Sequence, residues 1–344
     1  MPSLPFDPAM FALVAATLGC QPGPRAPALA HGEPSVVRIP SGIAELDVAL
    51  YHLAPAAAGP GSHRPPVLFV HGATFPTALA AGYRFDGVSW MDELAAEGFD
   101  VWGLDFLGYG RSDRYPEMAA PAADHPPLGR ADVASRQIAA AVDHILAASH
   151  ATQLSIVAHS WGTLAAGRFA IDHPAQLDRL VLFGPVVARH EPESADAEAA
   201  WYLVTEADQQ RRFYGYVPAG EPPAMAPRHF ETWGPAYLAA DPSAATRTPP
   251  SARVPAGPVA DIDDAWSGQL PYDPARITAP TLIVRGAWDS VTPDADAARL
   301  FDALSAARLR RDVKIDRATH VMHLEHTRRQ LYREVGSFLA AGDE

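Results

Sequence analysis

A single cysteine, Cys20, stands in a chain of 344 residues, so no disulfide can form within it and no cysteine-based metal site can be built. Clustered basic charge is missing too. The 27 Lys and Arg residues are outnumbered by 40 Asp and Glu, giving a formal net charge of -13. Such an acidic field repels phosphates, which argues against a nucleic-acid partner. Nor is there a run of about 18 consecutive apolar residues, the length that a membrane-spanning helix needs. Charged residues make up only 19% and apolar residues 48%. Those proportions exclude wholesale disorder and suit one large α/β domain carrying an insertion.

The lone cysteine bears on localisation. Met10 to Leu18 is a short apolar run ending at Gly19-Cys20, and a Pro/Gly/Ala tether follows. This loosely resembles a bacterial lipoprotein signal with Cys20 as the lipidated residue, and Ala28-Leu29-Ala30 offers a second cleavage site. Against export, no Lys or Arg precedes Arg25, whereas a signal peptide has a positive n-region. Residues 1–34 read as a leader or N-terminal arm. A cytoplasmic protein is favoured, with export or lipid anchoring through Cys20 as the alternative.

What is present is a strand and helix rhythm. Val36 to Ile39 and Ala44 to Tyr51 alternate apolar and polar residues, as an antiparallel opening pair does. Short continuous apolar runs then follow at Val67 to Val70, Val101 to Phe106, Leu154 to Ala158, Leu180 to Phe183, Thr281 to Val284 and Val313 to Ile315. Continuous runs mark strands buried on both faces, hence a mostly parallel sheet flanked by helices. Ala131 to Ser149, Thr163 to Ile171 and Leu324 to Leu339 carry helical spacing. The core is thus expected over 35–344. Between Phe183 and Thr281 no strand run occurs, and an aromatic stretch holds Trp201, Tyr216, Trp233 and Trp266 among others. A structureless loop of that length does not suit a compact domain. A mainly helical cap is therefore expected over 186–275, roofing a site at the carboxyl ends of the strands.

Ala158-His159-Ser160-Trp161-Gly162 lies where a strand gives way to a helix, which makes Ser160 a candidate nucleophile. Small residues on either side let the backbone turn sharply and expose the hydroxyl. A serine nucleophile needs a base, a carboxylate to orient it and donors for the oxyanion. Asp289 follows the strand Leu282 to Val284, and His320 sits in a loop between another strand and the last helix. Both belong at the sheet edge that carries Ser160. His71-Gly72-Ala73-Thr74 follows Val67 to Val70, so the Ala73 amide is expected to pair with the Trp161 amide as oxyanion donors, Thr74 being the alternative.

Together these motifs, with Asp105-Phe106-Leu107-Gly108-Tyr109-Gly110-Arg111-Ser112 and Gly286-Ala287-Trp288-Asp289, make the chain from about Ser35 onward resemble the α/β-hydrolase superfamily. The order Ser, Asp, His agrees with that resemblance. It implies a Ser-His-Asp hydrolase with a cap and a structural role for the Asp105 to Ser112 loop. Ala158 in place of glycine is a departure. Serine at the elbow argues against haloalkane dehalogenases and epoxide hydrolases, which resemble this fold but carry Asp there.

Several residues compete for these places. His323 and His326 fall at or inside the last helix, so His320 is the base and His323 lines the substrate pocket with Thr74. His159 packs or faces the lid. Asp294 and the cap residues Asp261, Asp263 and Asp264 compete with Asp289; the three in the cap read as solvated surface. His320, His323 and Glu325 match no zinc spacing, and no metal or cofactor is expected. The reading is hydrolysis of a carboxylic ester or lactone with apolar bulk. An amidase or prolyl-iminopeptidase-like hydrolase is one alternative, and a ligand receptor without turnover on the same scaffold is another. The oligomeric state is left open.

Overall fold

The computed structural model describes residues 32–43, 45–55, 64–191 and 199–341. Cys20, the apolar run before it and Ala28-Leu29-Ala30 lie outside the described residues. In chain order the strands are β1 (Ser35–Ile43), β2 (Leu46–Leu53), β3 (Val67–Val70), β4 (Val101–Asp105), β5 (Leu154–His159), β6 (Leu177–Phe183), β7 (Trp201–Thr205), β8 (Ser251–Pro255), β9 (Thr281–Gly286) and β10 (Arg310–Ile315). The helices are α1 (Trp90–Ala96), α2 (Ala131–Ser149), α3 (Gly162–Asp172), α4 (Glu206–Gly215), α5 (Pro227–Ala239), α6 (Gly257–Trp266), α7 (Asp294–Ala303) and α8 (Arg328–Ala340).

Eight strands form one sheet in the order β1-β2-β4-β3-β5-β6-β9-β10. β1 and β2 pair antiparallel, β2 meets β4 antiparallel, and every later pair is parallel. The continuous apolar runs have a direct cause in this arrangement. Leu68, Val70, Ile156, Ala158, Leu180 and Leu182 face a layer holding Ile138 and Val142 of α2 and Leu164 and Phe169 of α3. Their neighbours Val67, Phe69, Val157, Val181 and Phe183 face Trp90 and Leu94 of α1 and Leu331 and Val335 of α8. Both faces are dry, so strand periodicity vanishes from the sequence. Each fully buried Val, Leu or Phe contributes about 1.5–3 kcal/mol to this core.

Local signals start the helices. Ser89 and Asp92 close a capping box on α1, and Thr205 and Asp208 close one on α4, each satisfying donors that the first turn leaves open. Two expectations needed revision. The stretch between β6 and β9 contains a two-stranded antiparallel sheet, β7 with β8, in addition to α4, α5 and α6. Its strands are short and β8 carries Pro255, which hid them from a search for apolar runs. The last helix also begins later than Leu324. Met322–Leu324 forms a 3-10 turn and α8 starts at Arg328.

Candidate active site

β5 ends at His159 and α3 begins at Gly162, which leaves two residues for the whole reversal. Ser160 takes a φ of 56°, a left-handed conformation that costs an L-residue about 1–2 kcal/mol. The surroundings hold it there. Its N–H donates to the Phe183 carbonyl at 2.9 Å, and a Cβ at Gly162 would run into the His71 carbonyl. Gly72 is close as well, since a Cβ there would lie 3.0 Å from that of Ser160. Glycine at 162 lets the loop after β3 lie against this turn, and a side chain at 72 would require its neighbours to shift by a few tenths of an ångström.

Ser160, Asp289 and His320, from the carboxyl ends of β5, β9 and β10, meet in one place. His320 Nε2 lies 2.8 Å from Ser160 Oγ, and His320 Nδ1 is 3.1 Å from each carboxylate oxygen of Asp289. All three residues are buried. Asp289 Oδ1 also accepts from the Val291 and Thr292 amides at 2.8 and 3.1 Å. Burial works against its charge, but the His320 ring and those two amides outweigh it and hold the carboxyl below its ordinary value. Asp294, the rival acid, is exposed and pairs with Arg285 and Lys314.

The chain between β6 and β9 also contributes. Gly184, directly after β6, has a φ of 52°, and a Cβ there would come within 3.0 Å of His320 Nδ1 and 3.1 Å of Asp289 Oδ2. A side chain at 184 would crowd the Asp289 and His320 pair. Its signal in the sequence is a glycine directly after an apolar run.

Ala73 lines the same pocket as Ser160 and Trp161 follows it in the chain, and neither amide donates to another group among the described residues. The Thr74 amide is free in the same sense. The Ala73 carbonyl is fixed by the Tyr109 hydroxyl at 2.5 Å. Asp105 organises the loop behind, accepting from the Thr77 and Arg111 amides and the Tyr51 hydroxyl. His71 is neutral: burial lowers its pKa, and the ring receives the Phe106 N–H at Nε2 while its Nδ1–H donates to the Gly72 carbonyl.

Three histidines crowd this end of the sheet. His159 donates from Nε2 to the His320 carbonyl at 2.9 Å and stacks on Phe183; burial keeps it neutral by lowering its pKa far below the ordinary value. His323 was expected to line the substrate pocket and does not. The 3-10 turn tucks its ring against His159, Phe183 and Phe75, where it borders a separate cavity of about 20 Å³ behind the site. Burial pushes it down to about 3. Glu325 accepts from the Thr319 amide at 3.0 Å and from the Thr319 hydroxyl, next to the base. Burial raises it to about 7.

The pocket in front of Ser160 has a volume of about 200 Å³. Gly72 to Phe75, including Thr74, His159, His320 and Val291 form one side of it; Arg212, Tyr216, Ile262 and Trp266 form the other, all from the chain between β6 and β9. Tyr216 sets its ring 5.8 Å from that of His320. Four other aromatics of this stretch, Phe213, Phe230, Trp233 and Tyr237, pack on one another. The reading of Asp261 as solvated surface is overturned. It is buried and accepts from the Trp161 indole at 2.8 Å, the Ala131 amide at 2.6 Å and Arg130. Half-exposed Asp264 meets the same arginine. Sequence spacing did not reveal this because the partners lie 100 and 130 positions away.

No curated protein matches the chain. Among solved structures, it is similar to an esterase from Exiguobacterium antarcticum at 16% identity and a TM-score of 0.58, covering 87% of this chain and 97% of that one. A bromoperoxidase from Bacillus anthracis is similar at 14% identity and a TM-score of 0.61, covering 89% and 100%. Epoxide hydrolase A from Mycobacterium thermoresistibile is similar at 16% and 0.56, covering 89% and 98%. At such identities the likeness speaks for the shared fold and leaves the reaction open. A family model described as the alpha/beta hydrolase fold matches residues 65–327, and the sheet order, the turn at Ser160 and the order of its partners agree with it. The chain belongs to the α/β-hydrolase fold family.

Proposed function

We propose that this protein is a serine hydrolase that cleaves a carboxylic ester or lactone through an acyl-enzyme on Ser160. The observation that carries the reading is the connected set Ser160 Oγ, His320 and Asp289, with spacings of 2.8 and 3.1 Å. Ser160 Oγ attacks the carbonyl carbon while His320 Nε2 takes its proton, and Asp289 holds the imidazole by Nδ1–H. The carbonyl oxygen gains the charge and meets the Ala73 and Trp161 amides; losing one such donor typically costs on the order of 100 to 1000-fold in rate. His320 then returns the proton to the leaving alkoxide. Water, deprotonated by the same ring, attacks the acyl-enzyme and releases the acid and Ser160.

The stretch between β6 and β9 serves as a lid over this chemistry, and Phe75, Ile262, Trp266 and Val291 supply apolar wall for the body of the substrate. An aminopeptidase reading is less well supported. It asks for a carboxylate to receive a substrate ammonium, and the residues lining the pocket include no Asp or Glu.

The test is release of p-nitrophenol from a series of p-nitrophenyl esters by wild type and by Ser160→Ala. Turnover that falls at least 1000-fold in the variant is expected. Ligand binding with no Ser160-dependent release would instead favour a receptor.

A further inference from the structure

Among the residues that line the pocket at Ser160, one Arg and no Lys, Asp or Glu is found: Arg212. It lies in the last turn of α4, four positions before Tyr216, so the two share a helix face, and Tyr216 is the residue that covers His320. The guanidinium rests 5.8 Å from the Phe75 ring and 5.5 Å from the Phe213 ring. Its Nε is buried without a hydrogen-bond partner, and no carboxylate among the described residues pairs with it. Its neighbour Arg211 takes Asp208.

Arg64 and Arg253 also keep one buried N–H without a partner, but neither lines the pocket at Ser160. Several other arginines withdrawn from solvent have a carboxylate. Arg189 meets Asp296, Arg247 meets Asp241 and Arg285 meets Asp312. That is the ordinary rule, because a desolvated cation without a counter-charge is costly. The two ring faces offset part of that cost for Arg212. They supply no acceptor for its N–H groups.

We infer that Arg212 receives a carboxylate of the substrate, and that the preferred substrate is an ester carrying a free carboxylate at a distance from the scissile bond, such as a half-ester of a short dicarboxylic acid. This rests on the ester reading above and narrows its substrate class. A planar guanidinium matches a carboxylate through two parallel N–H donors. One cation balances one negative charge, whereas a phosphate dianion would leave charge uncompensated. The formal net charge of -13 acts the other way, since it disfavours approach of any anion. A preference for an anionic ester would therefore have to come from the site itself.

The experiment compares mono-p-nitrophenyl glutarate with its neutral counterpart of similar length, p-nitrophenyl pentanoate, on wild type and Arg212→Gln. Wild type is expected to prefer the glutarate in kcat/KM. That ratio should fall by about 10 to 100-fold in the variant, the size of a lost charge-assisted hydrogen bond. In wild type, monomethyl glutarate should inhibit turnover of the pentanoate more strongly than methyl pentanoate does, a readout that holds even if the variant fails to fold. A wild-type preference for the pentanoate, or a ratio unaltered by Arg212→Gln, overturns the assignment. Binding of monomethyl glutarate to Ser160→Ala, followed by tryptophan fluorescence, separates the two readings. If neither ester is turned over, the ester reading fails. The anion site then stands only if adding Arg212→Gln weakens that binding at least tenfold, and falls if it does not.

Discussion

The indole N–H of Trp161 donates to the Asp261 carboxylate across 2.8 Å, which ties the turn carrying Ser160 to helix α6 of the overlying insertion. One residue thus joins the proposed oxyanion donor to the proposed lid, the first by its amide and the second by its side chain. Asp261 keeps three donors occupied, so the anchor and the start of α2 at Ala131 depend on one carboxylate.

Asp261→Ala should therefore destabilise the fold by about 2–4 kcal/mol, because it leaves the indole and the Ala131 amide buried without acceptors. Urea unfolding of Asp261→Ala, Trp161→Phe and the double variant checks the link. Coupling of at least about 0.5 kcal/mol is expected between two groups in contact; full additivity would mean that the two act independently.

Asp289→Asn should lower kcat by about 10,000-fold, the cost when the orienting carboxylate of such a triad becomes an amide and the wrong imidazole tautomer is held. Steady-state kinetics on a p-nitrophenyl ester is sufficient. A near-wild-type rate would place the acid elsewhere.

Gly184→Ala adds a methyl group where the nearest atoms are His320 Nδ1 at 3.0 Å and Asp289 Oδ2 at 3.1 Å, at a backbone φ of 52°. A loss of about 1–2 kcal/mol is expected from the backbone alone. The more telling effect is on kcat, which should fall at least tenfold, since a small misplacement of a catalytic group is enough for such a loss. Thermal melting and kinetics on the same preparation separate the two effects.

Glu325 gives a signed pH effect. Its carboxyl is pushed from 4.5 up to about 7, so between those values the folded state holds a proton that the unfolded chain has lost. Its contribution to stability is present below about pH 4.5 and is lost as pH rises through 7. Glu325→Gln cannot titrate and keeps an acceptor for Thr319. Chemical unfolding from pH 5 to 8 should show the variant gaining on wild type by about 2–3 kcal/mol; a constant difference would contradict the shift.

The sheet was readable because strands buried on both faces leave continuous apolar runs, and β3 appears with the bounds that its four residues suggest. The triad candidates were readable for a related reason: each follows one of those runs, so position after a strand stood in for position in space. His323 misled because sequence proximity to His320 said nothing about the 3-10 turn that points its ring behind the site. Arg212 and Asp261 stayed hidden for the opposite reason. What matters about each is its partner or lack of one, and partners a hundred or more positions apart leave no local pattern. β7 escaped because its residues are mostly only partly buried, with Leu203 45% exposed, and β8 because it is short and ends in Pro255.

Acylation of Ser160 is the most direct test of the whole reading. Wild-type protein mixed with a p-nitrophenyl ester, quenched in acid during turnover and measured by intact mass, should gain one acyl group, which peptide mapping should locate on Ser160. Ser160→Ala should gain none. Turnover without any adduct in wild type, or the same adduct in Ser160→Ala, would contradict the acyl-enzyme and with it the role given to this serine.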